Sequence, residues 1–316
     1  MIEVNNISKR YGKKIAVDGI SFSFEKDKIY GLLGTNGAGK SSIMNILSGY
    51  LVPDDGCVII NDVNIHKNAK KSKVLVGFLP ETPPLYNNMT VKEYLDFVAA
   101  IKGVSKKDRE AEVDRVMKSV SINDTEDKLI RSLSNGNKQL VGIAQAIIGN
   151  PEVLIFDELT SELDPKQIAK VRSIIKELGK NHTVILSSGI LTEISALCDE
   201  ILILSNGKII AHDNPENLKK ILGDSDEIII SIVGKVEKAN SVLRKIPGVK
   251  KVEGIGKDSD GHNKIKVNYV SDRDIREVIS STLSNNKIVV VEMVRNEVQL
   301  EDVFLKLTSG QDTEDN

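Results

Sequence analysis

The run Gly34-Thr35-Asn36-Gly37-Ala38-Gly39-Lys40-Ser41-Ser42 packs three glycines, a lysine and two serines into nine consecutive positions. It matches G-x-x-x-x-G-K-[ST], the spacing of a phosphate-binding loop. The glycines let the backbone fold tightly and turn its N–H groups inward at a helix N-terminus. There the donors and the helix dipole together favour an anion. Lys40 is spaced to reach the β- and γ-phosphates of a nucleotide, and the Ser41 hydroxyl to ligate magnesium. Gly34, Asn36, Gly37, Gly39, Lys40, Ser41 and Ser42 are therefore candidate nucleotide-binding residues. Further along, Val153-Leu154-Ile155-Phe156 ends in two acids, Asp157 and Glu158. A buried strand that delivers a carboxylate at its C-terminal end suits magnesium chemistry in an open α/β sheet. Asp157 would hold the metal through water, and Glu158 would orient and polarise an attacking water. An acidic turn after a strand is the blander alternative, and the phosphate loop upstream favours the chemical one.

These residues need elements to hold them. Lys28 to Leu33 reads as a buried strand leading into the loop. Ile43 to Gly49 reads as a helix that ends at a glycine. Leu140 to Gly149 reads as a helix of small apolar residues, preceded by Leu133-Ser134-Asn135-Gly136-Asn137-Lys138-Gln139. At this point the chain resembles the ATP-binding subunit of ABC transporters. Leu133, Ser134, Gly136 and Gln139 match the family's L-S-G-G-Q signature and its continuation. Asn135, Asn137 and Leu140 depart from it. The resemblance implies that Ser134 and Gly136 face the γ-phosphate held by an opposite subunit. Tyr11 stands where the family stacks an aromatic ring on adenine. Glu81, in Gly77-Phe78-Leu79-Pro80-Glu81, stands at the Q-loop position as a carboxylate able to ligate magnesium. Thr160-Ser161-Glu162-Leu163-Asp164-Pro165 falls at the D-loop, with Leu159 and Glu162 departing from the usual residues.

A further departure touches the chemistry. The family places a histidine after the strand read here as Thr183 to Ser188, and this chain has Gly189. None of its four histidines can take that place in sequence order; all four read as surface or structural residues. Glycine offers no side-chain donor to the γ-phosphate or the attacking water. Loss of one preorganised donor lowers turnover by roughly 10²–10³-fold. The expectation is a chain that binds ATP well and hydrolyses it slowly.

The 316 residues are 40% apolar and 28% charged with a net charge of −2. That is the composition of ordinary globular protein. It gives no electrostatic argument for a nucleic-acid partner. No apolar run approaches the roughly 20 residues that span a bilayer, and the N-terminus lacks a secretory pattern. Cys57 and Cys198 lie far apart without metal-type spacing and read as reduced structural thiols.

The expected fold is α/β: a P-loop NTPase domain of the ABC type over 1–222, with a helical insertion over about 81–150. A small α+β domain over 223–309 comes next, and 310–316 reads as a disordered tail. In the insertion, Thr90 to Glu93 reads as a capping box, and Ser105 to Asp108 as a second cap. Asp164-Pro165 opens a helix with Ile168, Val171, Ile175 and Leu178 on its core face, and Gly179 caps it. Beyond residue 226 the pattern is β-α-β-β-α-β, the split ferredoxin-like order, with a last short helix from Leu300 to Leu307. No ligand constellation appears there, and a packing or dimerisation role is expected.

Such appended domains resemble those of ABC-2-type exporter ATPases. The resemblance therefore implies an exporter's ATP-binding subunit, with ATP and Mg²⁺ bound and Lys40 and Glu158 carrying catalysis. Its partners would be a separate integral-membrane permease and a second nucleotide-binding subunit. Its location would be cytoplasmic, peripheral on the inner face of the membrane. The alternative is a slow or non-hydrolysing regulatory half of a heterodimeric complex.

Overall fold

The computed structural model describes residues 1–161, 163–220, 226–270 and 274–296. The chain divides into two compact units, Met1–Pro215 and Glu216–Asn316. The division falls inside a short helix rather than at the expected 222/223 junction, and 221–225 lie outside the described residues.

The first unit begins with strands β1 (Ile2–Tyr11), β2 (Lys14–Phe24) and β3 (Ile29–Gly34) and helix α1 (Lys40–Leu47). Next come β4 (Asp55–Ile60), β5 (Val63–Asn64), α2 (Ala69–Leu75) and β6 (Val76–Leu79). Three helices follow: α3 (Val91–Ile101), α4 (Arg109–Val120) and α5 (Asn135–Ile147). The unit continues with β7 (Val153–Phe156), α6 (Pro165–Leu178), β8 (Thr183–Ser188) and α7 (Leu191–Leu197). It closes with β9 (Glu200–Ser205), β10 (Lys208–Asp213) and the start of α8 (Pro215–Lys220).

Two sheets result. An antiparallel sheet has the order β2-β1-β4-β5. A six-stranded sheet has the order β10-β9-β3-β8-β7-β6, parallel except for β10 at its edge. β3, β7 and β8 are buried along their whole length, which is why each reads as an apolar run rather than an alternation. Helix α1 buries Ile43, Met44, Ile46 and Leu47 in one core with Val4 and Phe24 of the first sheet and Leu32 and Ile155 of the second. Each such side chain contributes about 1.5–3 kcal/mol relative to exposure. A helix apolar on most sides is thus locked in place directly after the phosphate loop.

In the helical part, Thr90 forms the expected capping box with Glu93. The second expected cap is not formed. α4 begins at Arg109, and Ser105 donates its hydroxyl to the Asp108 carboxylate instead of accepting a backbone N–H. α6 starts with the Asp164–Gln167 capping box and Pro165, as its sequence implies, and Gly179 caps its end. Its core stripe is Val171, Ile174 and Ile175; the expected Ile168 and Leu178 are only half-buried. Cys198 is buried, and burial pushes its thiol pKa up, so it acts as a packing residue.

The second unit carries β11 (Asp226–Val233), α9 (Val236–Leu243), β12 (Val249–Lys257), β13 (Asn263–Tyr269), α10 (Arg276–Asn285) and β14 (Val289–Asn296). This is the β-α-β-β-α-β order. Its antiparallel sheet runs β12-β13-β11-β14. Ile228, Ile230 and Ile232 alternate onto the face that packs with Ala239 and Leu243 of α9 and Ile279 and Leu283 of α10. α10 starts at Arg276, and 271–273 lie outside the described residues. So do the expected helix at 300–307 and the tail at 310–316.

Candidate active site

The loop between β3 and α1 sits at the C-terminal edge of the central strand. The Ala38 amide donates to the Thr35 carbonyl at 3.1 Å, closing the turn. Gly39 is the N-cap of α1 at φ +106°, and a Cβ there would lie 2.3 Å from the Ala16 carbonyl oxygen. Only glycine fits both the backbone angle and the close approach. No side chain caps α1, and its first turn holds no acid. The helix N-terminal donors are therefore not consumed by the chain's own anions, as an anion site requires.

Lys40 is 6% exposed. Its Nζ donates to the Gly34 carbonyl at 2.8 Å and lies 3.1 Å from Glu158 Oε1. The strand order β3-β8-β7 explains the meeting. The phosphate loop leaves β3 and the two acids leave β7, both at the C-terminal edge, with β8 between them. Two strand spacings amount to about 10 Å. The Lys40 and Glu158 side chains reach toward each other and together span that gap.

The acids have different settings. Asp157 is 4% exposed and accepts the hydroxyl of Ser187. The Glu158 amide donates back to Ser187 Oγ at 2.9 Å. Glu158 holds φ at +45°, an uncommon conformation for a residue with a side chain, costing about 1–3 kcal/mol. This turn aims the carboxylate across the gap, where Oε2 also accepts from the Gly189 amide at 3.4 Å.

Between loop and acids lies a cleft of about 600 Å³. Tyr11, Asn36, Gly37, Gly39, Lys40, Ser41, Ser42, Glu81 and Glu158 line it together, with Gly189 on the same wall as Glu158. Gly34 lies beneath, joined through its carbonyl to Lys40, and Asp157 lies behind the wall. Tyr11 is 51% exposed, with Ser42 Oγ donating to its hydroxyl at 3.4 Å, so the ring offers an open face. Ser134 and Gly136 are not on this cleft. Ser134 caps α5, accepting from the Asn137 amide at 3.3 Å. Gly136 is buried; a Cβ there would meet the Gln167 side chain at 2.4 Å, so glycine lets α5 approach α6.

Several residues of the site escape motif reading. Ser187 bridges Asp157 and the Glu158 amide, and nothing in an apolar strand ending Ser-Ser marks which serine does so. Gln139 belongs to the signature run, but its contact is not readable there: it donates to the Leu159 carbonyl at 3.0 Å, tying the signature helix to the segment after Glu158. Lys14 lines the cleft beside Gly37. Glu193 is buried, and its carboxylate accepts from Thr160 and Ser188.

Known proteins resemble this chain. The ABC transporter family profile matches residues 17–161. The bacitracin transport ATP-binding protein BcrA of Bacillus licheniformis is 32% identical over 312 residues, covering 98% of each chain. The linearmycin resistance ATP-binding protein LnrL of Bacillus subtilis (strain 168) is 31% identical over 313 residues, again covering 98% of each. A solved ATP binding subunit of an ABC transporter is 27% identical with a TM-score of 0.64, over 71% of this chain and 93% of that one. The likeness to the two Bacillus proteins runs through the second unit as well as the cleft. The chain belongs to the ABC transporter family, as an ATP-binding subunit.

Proposed function

We propose that the chain drives a separate membrane permease, for export, by binding and slowly hydrolysing Mg²⁺–ATP. One observation carries the reading: uncapped loop donors and a buried lysine face Glu158 across a cleft large enough for a nucleotide. The names of BcrA and LnrL, bacitracin transport and linearmycin resistance, support export as the direction. No helix among the described residues is long and apolar enough to cross a membrane, which supports a permease on another chain. The chain would then sit on the cytoplasmic face of that permease.

In this reading adenine stacks on Tyr11 and the phosphates enter the loop. Lys40 turns from Glu158 to the β- and γ-phosphates. Glu158, relieved of its partner, takes a water proton and aims the oxygen at the γ-phosphorus. The nucleotide's magnesium would be held by Ser41 and Glu81, and by Asp157 through water. No group of three or more His, Cys, Asp or Glu side chains gathers among the described residues. That suits an ion held by substrate phosphates plus one or two carboxylates. Ser134 and Gly136 lie off their own cleft, which supports a role in completing the site of a second nucleotide-binding subunit. Gly189 supplies only a backbone amide where the family has an imidazole, so hydrolysis should be slow.

Gly189 also favours a second reading, a regulatory ATP-sensing half of a heterodimer. Both are tested by measuring ATP affinity and phosphate release with and without Gly189→His, alone and with co-purified permease. Tight binding with slow release, raised by histidine, supports the slow transporter subunit. Brisk release that histidine leaves unchanged removes the slow part of the reading. Failure to retain any integral membrane protein after gentle detergent extraction removes the permease.

A further inference from the structure

Glu193 stands in the first turn of α7 and is 6% exposed. Burying a carboxylate costs several kcal/mol unless it is paired or well hydrogen-bonded. No ion pair to Glu193 forms among the described residues. Two hydroxyls serve it instead, and both reach the same oxygen. Thr160 Oγ1 donates to Glu193 Oε2, and Ser188 Oγ donates to it at 3.3 Å. Leu191 and Ile194 beside it are buried apolar residues, so a leucine at 193 would fill the space at lower cost. The oxygen acceptor is what this position adds.

The two donors come from opposite sides of the reacting carboxylate. Thr160 belongs to the turn after Glu158, whose carbonyl accepts the amide of the next residue in that turn, Ser161, at 3.3 Å. Ser188 ends β8 directly before Gly189, and its hydroxyl oxygen accepts the Ile190 amide at 2.9 Å. The Gly189 amide, held between them, donates to Glu158 Oε2. Both Thr160 and Ser188 line the nucleotide cleft. A single buried oxygen thus joins the turn that carries Glu158 to the turn that contacts it.

We propose that Glu193 is a positioning residue for hydrolysis: by clamping Thr160 to Ser188 it sets Glu158 against the Gly189 backbone. The clamp matters because no imidazole at 189 helps to orient the water, leaving geometry to the backbone. The inference rests on Glu158 being the group that activates water.

The test is single-turnover hydrolysis of radiolabelled ATP with the full chain in excess, alongside ATP affinity and thermal midpoint. Glu193→Leu should lower the hydrolysis rate about tenfold while ATP affinity changes less than about twofold and the midpoint holds. Glu193→Gln should keep most of the rate, because its amide oxygen can accept both hydroxyls. Thr160→Val should lower the rate, and adding it to Glu193→Leu should cost little more, as for residues acting as one unit. In a Gly189→His background the Glu193→Leu loss should shrink. A native rate in Glu193→Leu overturns the proposal. So does a loss shared by affinity, midpoint and rate, which marks a folding role, and so does a loss in Glu193→Gln as large as in Glu193→Leu. Glu158→Gln is the separate control: a native rate there removes the Glu158 assignment on which the proposal rests, whereas a lowered rate there with a native rate in Glu193→Leu overturns the clamp alone.

Discussion

The two walls of the cleft are built by different means. The loop wall is made of backbone amides and one lysine, all from the chain segment Gly34 to Ser42. On the opposite wall, Glu158 is held by contributions from β8, its neighbouring turn and α7, through Ser187, Gly189 and Glu193. The loop wall can grip a nucleotide in its ground state. In the proposed reading the opposite wall acts where the water attacks. Binding and hydrolysis should therefore separate, because only interactions stronger in the transition state speed the reaction.

Among the described residues Lys40 touches both walls, joining the Gly34 carbonyl to Glu158, so its loss should be the largest effect. Lys40→Ala should weaken ATP binding about a hundredfold, the value of one or two charge-assisted hydrogen bonds. It should lower single-turnover hydrolysis by about 10³-fold or more. Glu158→Gln should lower hydrolysis by about 10²–10³-fold. Its effect on affinity should have the opposite sign. Glu158 competes with the phosphates for Lys40 at 3.1 Å, so removing its charge should tighten ATP binding. Calorimetry with ATP reads both. If Glu158→Gln weakens binding as Lys40→Ala does, the walls are not separable.

Gly189→His tests whether the opposite wall lacks a part. A Cβ at Gly189 meets nothing within 4 Å, and its φ lies outside the left-handed range, so the backbone admits a side chain. Hydrolysis should rise about 10–10²-fold, part of what a preorganised donor supplies. Affinity should change little, since the loop amides are untouched. A rise in affinity without a rise in rate would move Gly189 to the binding side of the comparison.

The same division explains what the sequence discloses. The phosphate loop is legible because its chemistry is backbone chemistry, and glycine at 39 is enforced by an angle and by the Ala16 carbonyl at once. The strand ending at Asp157 is legible because burial on both faces leaves a run of apolar residues. The split order of the second unit is readable from its alternations, Ile228, Ile230 and Ile232 above all. The support behind Glu158 on the opposite wall is not. Ser187 meets Asp157, and Thr160 meets Glu193, through strand order and helix placement, at separations of 30 and 33 positions. Serine, threonine and glutamate at such separations have no local pattern. Ser105 misleads for a related reason: a hydroxyl three residues before an acid suits a cap, but here it serves the Asp108 side chain and the helix starts later.

The smallest effects belong at the outer end of the loop wall. Tyr11 is half exposed and its hydroxyl is joined to Ser42 of the loop wall, so in the proposed reading its ring contributes to binding alone. Stacking on a base is worth about 1–3 kcal/mol by alanine substitution. The open position of Tyr11 places it near the lower figure, so Tyr11→Ala should weaken ATP binding about tenfold, with the loss in KM rather than in the saturated rate. Tyr11→Phe keeps the ring and removes only the hydroxyl. The hydrogen bond to Ser42 is long at 3.4 Å and solvent competes for it, so the cost should be about twofold in affinity. Comparing ATP with GTP sharpens the point. A stacking surface accepts either purine, so Tyr11→Ala should weaken both alike. A loss confined to ATP would mean that the hydroxyl, not the ring face, reads the base, and Tyr11→Phe would then reproduce it.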